Sequence, residues 1–168
     1  MDTAPDLVIR RALPEDLDAA GALSVEVYVG EGYSRPDGPY PELLRDTRRR
    51  AEEAELLVAV DPAGGAVLGS VTFAPGGNPW ADIAAPHEGE IRMLAVARAA
   101  RGRGAGSALV RAAMARSREL GLTGMAFSTR PAMTAAHRVY ERLGFRRSPE
   151  RDWEPAPGID VIVYSITF

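Results

Sequence analysis

The stretch Glu90-Ile91-Arg92-Met93-Leu94-Ala95-Val96-Ala97-Arg98-Ala99-Ala100-Arg101-Gly102-Arg103-Gly104-Ala105-Gly106-Ser107 decides how the rest of the chain is read. It reads as a strand, a short turn and a glycine-rich start to a helix. From Ala105 onward, Ala105, Ala108, Leu109, Ala112 and Ala113 fall on one face at helical spacing. Glycine and arginine therefore sit where the first helical amides have no partner and the helix dipole is positive. Such a place suits phosphate. Gly104 and Gly106 let backbone approach a ligand with no Cβ between them. Arg101 and Arg103 offer guanidinium groups that pair with phosphate oxygens. A Walker loop is excluded, because no Lys-Ser or Lys-Thr follows the glycines. A dinucleotide fingerprint fits poorly: Gly102, Gly104 and Gly106 depart from G-x-G-x-x-G, and Glu119 lies inside the helix. A helix start that simply needs a tight turn is the remaining alternative.

Working outward, 168 residues suit one domain, 1–168, with a sizeable core. Apolar content of 46% and charged content of 26% are those of an ordinary soluble globular protein. No apolar run approaches the roughly 20 residues that span a bilayer. Met1-Asp2-Thr3-Ala4-Pro5-Asp6 lacks the features of a signal peptide. A cytoplasmic protein with no membrane partner is expected. There is no cysteine, which excludes disulfides, thiolate metal sites and a cysteine nucleophile. His87 and His137, far apart in sequence, argue against a histidine metal site, so no metal is expected. A net charge of −3 argues against a general nucleic-acid surface. All 20 basic residues are arginine, so an acyl-transferring chain of this sequence offers no side-chain amine of its own.

In chain order, Leu7 to Ala12 reads as a strand, and Pro14-Glu15-Asp16 opens a helix reaching about Tyr28. Residues 30–41 form a loop carrying Tyr33 and Tyr40. A second helix runs from about Pro41 to Ala54, with Arg48-Arg49-Arg50 on a solvated face. Leu56–Val60 and Ala66–Ala74 make a hairpin across Asp61-Pro62-Ala63-Gly64-Gly65. A long loop, 75–88, carries Trp80 and His87, and loops of this length are often functional. After the central strand and helix, Gly124–Ser128 is a strand. Ala132–Leu143 is a helix ended by Gly144, with His137 on its solvent side. Phe145–Trp153 enters a strand, Pro155–Gly158 turns, and Ile159–Phe168 is the last strand.

Arg101, Gly104 and Gly106 match the Gln/Arg-x-x-Gly-x-Gly/Ala pattern of the GNAT superfamily of N-acetyltransferases, and the apolar strand Leu94-Ala95-Val96 precedes it at a matching distance. A second stretch, Ala136-His137-Arg138-Val139-Tyr140-Glu141-Arg142-Leu143-Gly144-Phe145, is similar to the family's Asn-x-x-Ala-x-x-Leu-Tyr-x-x-x-Gly-Phe. Ala136, Tyr140, Gly144 and Phe145 fit; Met133 stands where the family has asparagine. With the order β-α-α-β-β-β-α-β-α-β-β, the resemblance covers nearly the whole chain. It implies an α/β fold of the GNAT type: a mixed, mostly antiparallel sheet of about six or seven strands flanked by about four helices. It implies that strands ending at Val96 and Ser128 splay apart to admit acetyl-CoA as co-substrate.

The resemblance also implies the site. The backbone of Arg101, Gly102, Arg103, Gly104, Ala105, Gly106 and Ser107 would take the pyrophosphate. Leu94, Ala95 and Val96 would bond the pantetheine arm as a strand does. Tyr140, protonated at neutral pH, is the candidate acid for the leaving thiolate, unless it is only a core residue. Glu90 is the first candidate for the base, directly or through water, with His87 and a water chain as alternatives. The acceptor region would include Tyr28, Glu31, Tyr33, Trp80, Trp153 and Asp160, whose aromatic and acidic groups suit a cationic or aromatic amine. The acceptor would be a primary amine of an unidentified small molecule or peptide. Readings as an acyl-CoA sensor without turnover, or as a nucleotide-binding protein, stand beside the enzyme. A homodimer is expected by analogy.

Overall fold

The computed structural model describes residues 7–168. The elements are β1 (Val8–Arg11), α1 (Leu17–Gly30), α2 (Tyr40–Arg45), α3 (Thr47–Glu53), β2 (Glu55–Val60), β3 (Val67–Pro75), β4 (Glu88–Val96), α4 (Ala105–Glu119), β5 (Gly124–Thr129), α5 (Thr134–Arg142), β6 (Arg146–Arg147), β7 (Trp153–Ala156) and β8 (Ile159–Thr167). One sheet runs β1-β2-β3-β4-β5-β8-β6, and β7 pairs with β8 off this path. Among the described residues only β4 and β5 run parallel; the other neighbours are antiparallel.

This is the α/β architecture expected from the sequence, with eight strands and five helices among the described residues. Two boundaries differ. The helix expected over 41–54 is two helices. Asp46 leaves helical geometry (φ −80, ψ 64) and its carboxylate accepts the Arg49 N–H at 3.2 Å, so it caps α3. The strand expected over 145–153 is only the two-residue β6. Pro149 then opens a 3₁₀ turn, Pro149–Arg151. β7 instead runs through Pro155, which its irregular register on an outer ribbon tolerates.

Period-two alternation divides the strands between two faces. Leu57, Val71, Phe73 and Ile91 face α4 and α5, where Leu109, Val110, Ala113, Tyr140 and Phe145 complete the main core. On the opposite face Leu17 and Ala20 of α1 cover Leu56 and Val58. There Leu44 of α2 and Trp80 cover Ala74 and Met93, while Leu23 and Val27 cover Ala95. Burial on both faces explains why β2 reads as an unbroken apolar run. Gly89 sets how closely α4 approaches the sheet: a Cβ there would lie 2.6 Å from Phe73 Cε1 and 2.9 Å from Ser117 Oγ.

Two polar residues expected at the surface lie inside. Arg50 is fully buried beneath α1 and α2, not on a solvated face. Its guanidinium donates to Leu44 O at 2.5 Å, Thr72 Oγ1 at 2.9 Å and Ser24 Oγ at 3.3 Å. His137 is also buried. Its Nε2 lies 3.1 Å from Arg130 O and 3.4 Å from Thr129 Oγ1, tying α5 to the end of β5, and burial lowers its pKa. Both go inward because backbone carbonyls and hydroxyls are there to receive them.

Candidate active site

β4 and β5 pair only through Glu88↔Gly124, Gly89↔Met125 and Glu90↔Ala126. Past Glu90, β4 continues to Val96 against β3, and β5 continues to Thr129 against β8. The sheet therefore opens into a wedge whose base lies at Glu90 and Ala126. From Ile91 to Val96 the β5-facing edge of β4 has no strand partner. The cause is a β-bulge: pairing slips from Thr72↔Arg92 to Ser70↔Ala95, and Met93 adopts φ 57. A non-glycine residue there costs about 1–2 kcal/mol. Met93 is held in it by its burial with Leu44 and Trp80. Arg92, opposite Thr72, faces α1–α3 by regular alternation; the bulge puts the next residue, Met93, on the same side and returns Leu94 and Val96 to the α4 side.

At the open end of the wedge lies the start of α4. Gly104 is its N-cap at φ 78, and Gly102 has φ 87. No side chain caps the helix, so the amides of Ala105, Gly106 and Ser107 point outward. Arg101 pairs with Glu31 from the end of α1, and Arg103 lies 3.6 Å from Asp61. Both arginines expected to serve phosphate are thus held near the helix start by carboxylates.

Tyr140 reaches the wedge from α5. Its ring is 4.1 Å from that of Phe127 and 6.1 Å from that of Tyr164. Burial alone raises its pKa far above the usual phenol value. Tyr28 approaches from α1 on the opposite face. Burial raises its pKa, and the phenols of Tyr40 and Tyr140 act in the same direction. Phenols from two faces of one sheet come within electrostatic reach where the strands part.

Glu90 occupies the wedge base and is 1% exposed. Its Oε1 accepts the Ile83 and Ala84 amides at 2.8 and 2.9 Å. Burial raises its pKa, opposed by those amides and that of Asp82. It thereby shapes the 76–87 loop, which the sequence left without a reason for its path. His87 is exposed at the other end of the paired segment, where its carbonyl receives the Thr123 amide. That places it away from the opening.

The expected acceptor residues divide. Trp153 is half-buried and donates Nε1–H to Ser128 Oγ at 2.9 Å, on the arm of β5 that leaves β4. The Tyr33 carbonyl accepts from Arg130 at 2.9 Å, so the loop after α1 is tied both to the end of β5 and, through Glu31, to Arg101. Trp80 is only 3% exposed; it donates to Glu53 and lies between Arg49 and Arg92, a supporting place and not a lining one. Asp160 is exposed. Sequence reasoning passed over Arg92, Tyr40 and Arg50. The spacing Thr47, Arg50, Ala51, Ala54 is the signal that could have placed Arg50 on the inward stripe of its helix. Met133, standing where the motif has asparagine, precedes α5 with its Sδ 3.8 Å from Thr129 Oγ1.

Among the described residues no group of three or more His, Asp or Glu side chains is placed to hold a metal ion, and no helix is long and apolar enough to cross a membrane. A comparison with curated protein sequences finds no match. Solved structures match over nearly the whole chain. An acetyltransferase of the GNAT family from Staphylococcus aureus aligns with TM-score 0.75 at 14% identity, covering 96% of this chain and 98% of that one. A GCN5-related N-acetyltransferase from Kribbella flavida aligns with TM-score 0.73 at 27% identity, covering 99% and 100%. A GNAT family acetyltransferase from Brucella melitensis, solved in complex with acetyl-CoA, aligns with TM-score 0.63 at 22% identity, covering 96% and 88%. The profile of the Acetyltransferase (GNAT) family matches residues 22–145, from α1 through the wedge to Phe145, and the chain belongs to that family.

Proposed function

We propose that the protein is an N-acetyltransferase that moves the acetyl group of acetyl-CoA to a primary amine of a small molecule or peptide by direct transfer, with donor and acceptor bound together. One observation carries this reading. The unpartnered edge of β4 leads from the wedge base straight to free amides at a left-handed Gly104. A Cβ at Gly104 would meet nothing within 4 Å, so the approach is open. The cradle fits a pyrophosphate, and the strand edge fits a chain of amides.

Acetyl-CoA supplies an acetyl group already activated as a thioester. The amides of Ala105, Gly106 and Ser107, with Gly102 and Gly104 giving close approach, would hold its phosphates. Leu94, Ala95 and Val96 would bond the pantetheine arm through their outward backbone groups. The chain's side chains then have two proton tasks. An ammonium group has no lone pair, so the acceptor nitrogen must lose a proton. Glu90 is the acceptor for it, through water, because it sits at the wedge base with a raised pKa and almost no exposed surface. The departing sulfur must gain a proton. Tyr140 holds one, and its buried phenol keeps that proton through neutral pH.

The test is calorimetric titration with acetyl-CoA, CoA, ATP and NAD, followed by thiol release with a panel of amines. Binding of CoA species with ATP and NAD silent, then turnover with an amine, is the expected result. Binding without turnover on any amine would leave an acyl-CoA sensor. Silence toward CoA would overturn the reading.

A further inference from the structure

The wall of the wedge that faces α1–α3 carries positive charge. Arg50 is 0% exposed, and among the described residues no carboxylate lies within 4 Å of it. Its three hydrogen-bond partners are neutral oxygens, and its Nε has no partner. Burial pulls its pKa down to about 10, opposed by the Tyr40 and Tyr28 phenols and Asp46 and aided by the charge of Arg92, so it stays a cation at neutral pH. Arg92 is the accessible member of the pair, with a side chain 18% exposed. It is two residues beyond Glu90, on the same face as its cross-strand partner Thr72, beside the Tyr40 phenol and 5.9 Å over the Trp80 ring. Among the described residues the one carboxylate within 4 Å is that of Asp82, at 3.4 Å and itself 36% exposed.

Of the two acids expected at the acceptor, Asp160 is exposed and Glu31 is engaged, as are Glu53 and Glu90 nearby. Glu31 pairs with Arg101, Glu53 with Arg49 and the Trp80 indole, and Glu90 with loop amides. A buried cation without a counter-ion is costly, and an anionic ligand group brought beside it relieves that cost. Arginine suits a planar carboxylate or a phosphate better than lysine does, because its fork donates two parallel bonds.

We infer that the acceptor carries an acidic group, a carboxylate or a phosphate, as well as its amine, and that Arg92, backed by Arg50, is the residue that recognises it. The inference rests on the proposed transferase function and narrows its substrate class. Polyamines and basic peptides, which bring only positive charge to this wall, are poor acceptors.

The experiment uses the full chain and begins by titrating acetyl-CoA, which tests the transferase reading by itself; no binding there removes that reading and this inference with it. Matched amines follow under saturating acetyl-CoA: glycine against glycinamide, β-alanine against its amide, phenylalanine against its amide, and aminomethylphosphonate against methylamine. Thiol release gives kcat/KM. Calorimetry on CoA-loaded protein with the N-acetylated form of each gives binding without turnover. At least one acidic member should exceed its neutral partner by about 10-fold or more, the size of one charge-assisted bond. The carboxylate and phosphonate pairs separate the two anion types. Arg92→Gln should reduce that preference to less than about 3-fold, Arg92→Lys should restore part of it, and acetyl-CoA affinity should stay as in wild type. Parity between acidic and neutral members in every pair, absence of both binding and turnover across the panel once CoA binds, or a preference that survives Arg92→Gln would each overturn the inference while leaving the cofactor site intact.

Discussion

Replacing Tyr140 by phenylalanine removes one hydroxyl and keeps the ring. The ring is what packs, against Phe127 at 4.1 Å, Tyr164 at 6.1 Å and Phe145 at 6.3 Å. The hydroxyl contributes little to folding, because burial is the sole influence on its pKa and no charge or hydrogen bond acts on it. It has no hydrogen-bond partner among the described residues, and Tyr140→Phe should leave stability equal or raise it by up to about 1 kcal/mol. For a chain of this size that is a rise of up to about 2–4 °C in Tm. Turnover should respond in the opposite sense. A positioned general acid contributes about 10²- to 10⁴-fold. A phenol whose pKa is raised is a weaker acid, so the low end applies, about 100-fold in kcat or about 2.7 kcal/mol. Binding of acetyl-CoA should not change. The sign in pH follows as well. Because the folded pKa lies above the usual value of 10.0, the proton stays on at every pH below that, and no basic limb from Tyr140 should appear in the wild-type profile. The assays are thermal unfolding, calorimetry and thiol release on both proteins. A kcat within about threefold of wild type would refute the acid role. A fall in Tm of more than about 5 °C would refute the claim that the hydroxyl is idle in the fold.

Glu90→Gln tests the base. Burial raises the Glu90 pKa above 4.5, so the fold favours its protonated form; the stability that form contributes is present below 4.5 and lost as pH rises through the folded value. The neutral variant should thus match or exceed wild-type stability at neutral pH, lose about 100-fold in kcat/KM, and lose the acid limb of the pH–rate profile; an unchanged limb rejects the role. Gly104→Val places a branched side chain at φ 78, costing about 1–2 kcal/mol, and crowds the α4 amides, so acetyl-CoA should bind at least about 10-fold more weakly. Gly158→Val, at φ 79 in the turn between β7 and β8, should lose similar stability and no affinity; equal affinity losses in both would remove the cradle. Glu31→Gln frees Arg101 from its carboxylate, and acetyl-CoA should bind up to about fivefold more tightly, with a steeper salt dependence in calorimetry; weaker binding would show that the pair organises the site instead of competing for it.

The parts of this molecule that the sequence made legible depend on neighbours in the chain. The glycine–arginine turn, the apolar hairpin strands β2 and β3 and the glycine that ends α5 at Gly144 are local patterns with local physical causes, and the structure has them where they were read. What was illegible depends on partners far apart in sequence. Arg50 reads as one of three solvent-facing arginines until Ser24, Leu44 and Thr72 are brought around it. His137 reads as a surface residue until the Arg130 carbonyl arrives beneath it. Glu90 looks like a free carboxylate until the 76–87 loop folds back and presents the Ile83 and Ala84 amides. Glu31, one of the acids that suggested a cationic acceptor, carries no sign in the sequence that Arg101 will claim it.

The bulge at Met93 shows why such features matter to chemistry. An unbroken β4 would alternate, with Arg92 on one face and Met93 on the other. It would also present a regular edge to β5, and a parallel ladder begun at Glu88↔Gly124 would have every reason to continue. One extra residue on β4 ends both regularities. It increases the local twist, which lets the strands part just past Glu90 and leaves a row of free backbone groups leading to Gly104. It also brings Met93 to the same face as Arg92, which lies opposite Thr72 beside Arg50. The strain of a left-handed methionine is local, and the Leu44–Trp80–Met93 cluster holds it. Relieving that strain with Met93→Gly would remove the side chain that anchors the bulge. The register could then slip by one residue, reversing the faces of Leu94, Ala95 and Val96. The donor edge would be lost while Arg92, in register with Thr72 ahead of the bulge, keeps its place on the acceptor wall.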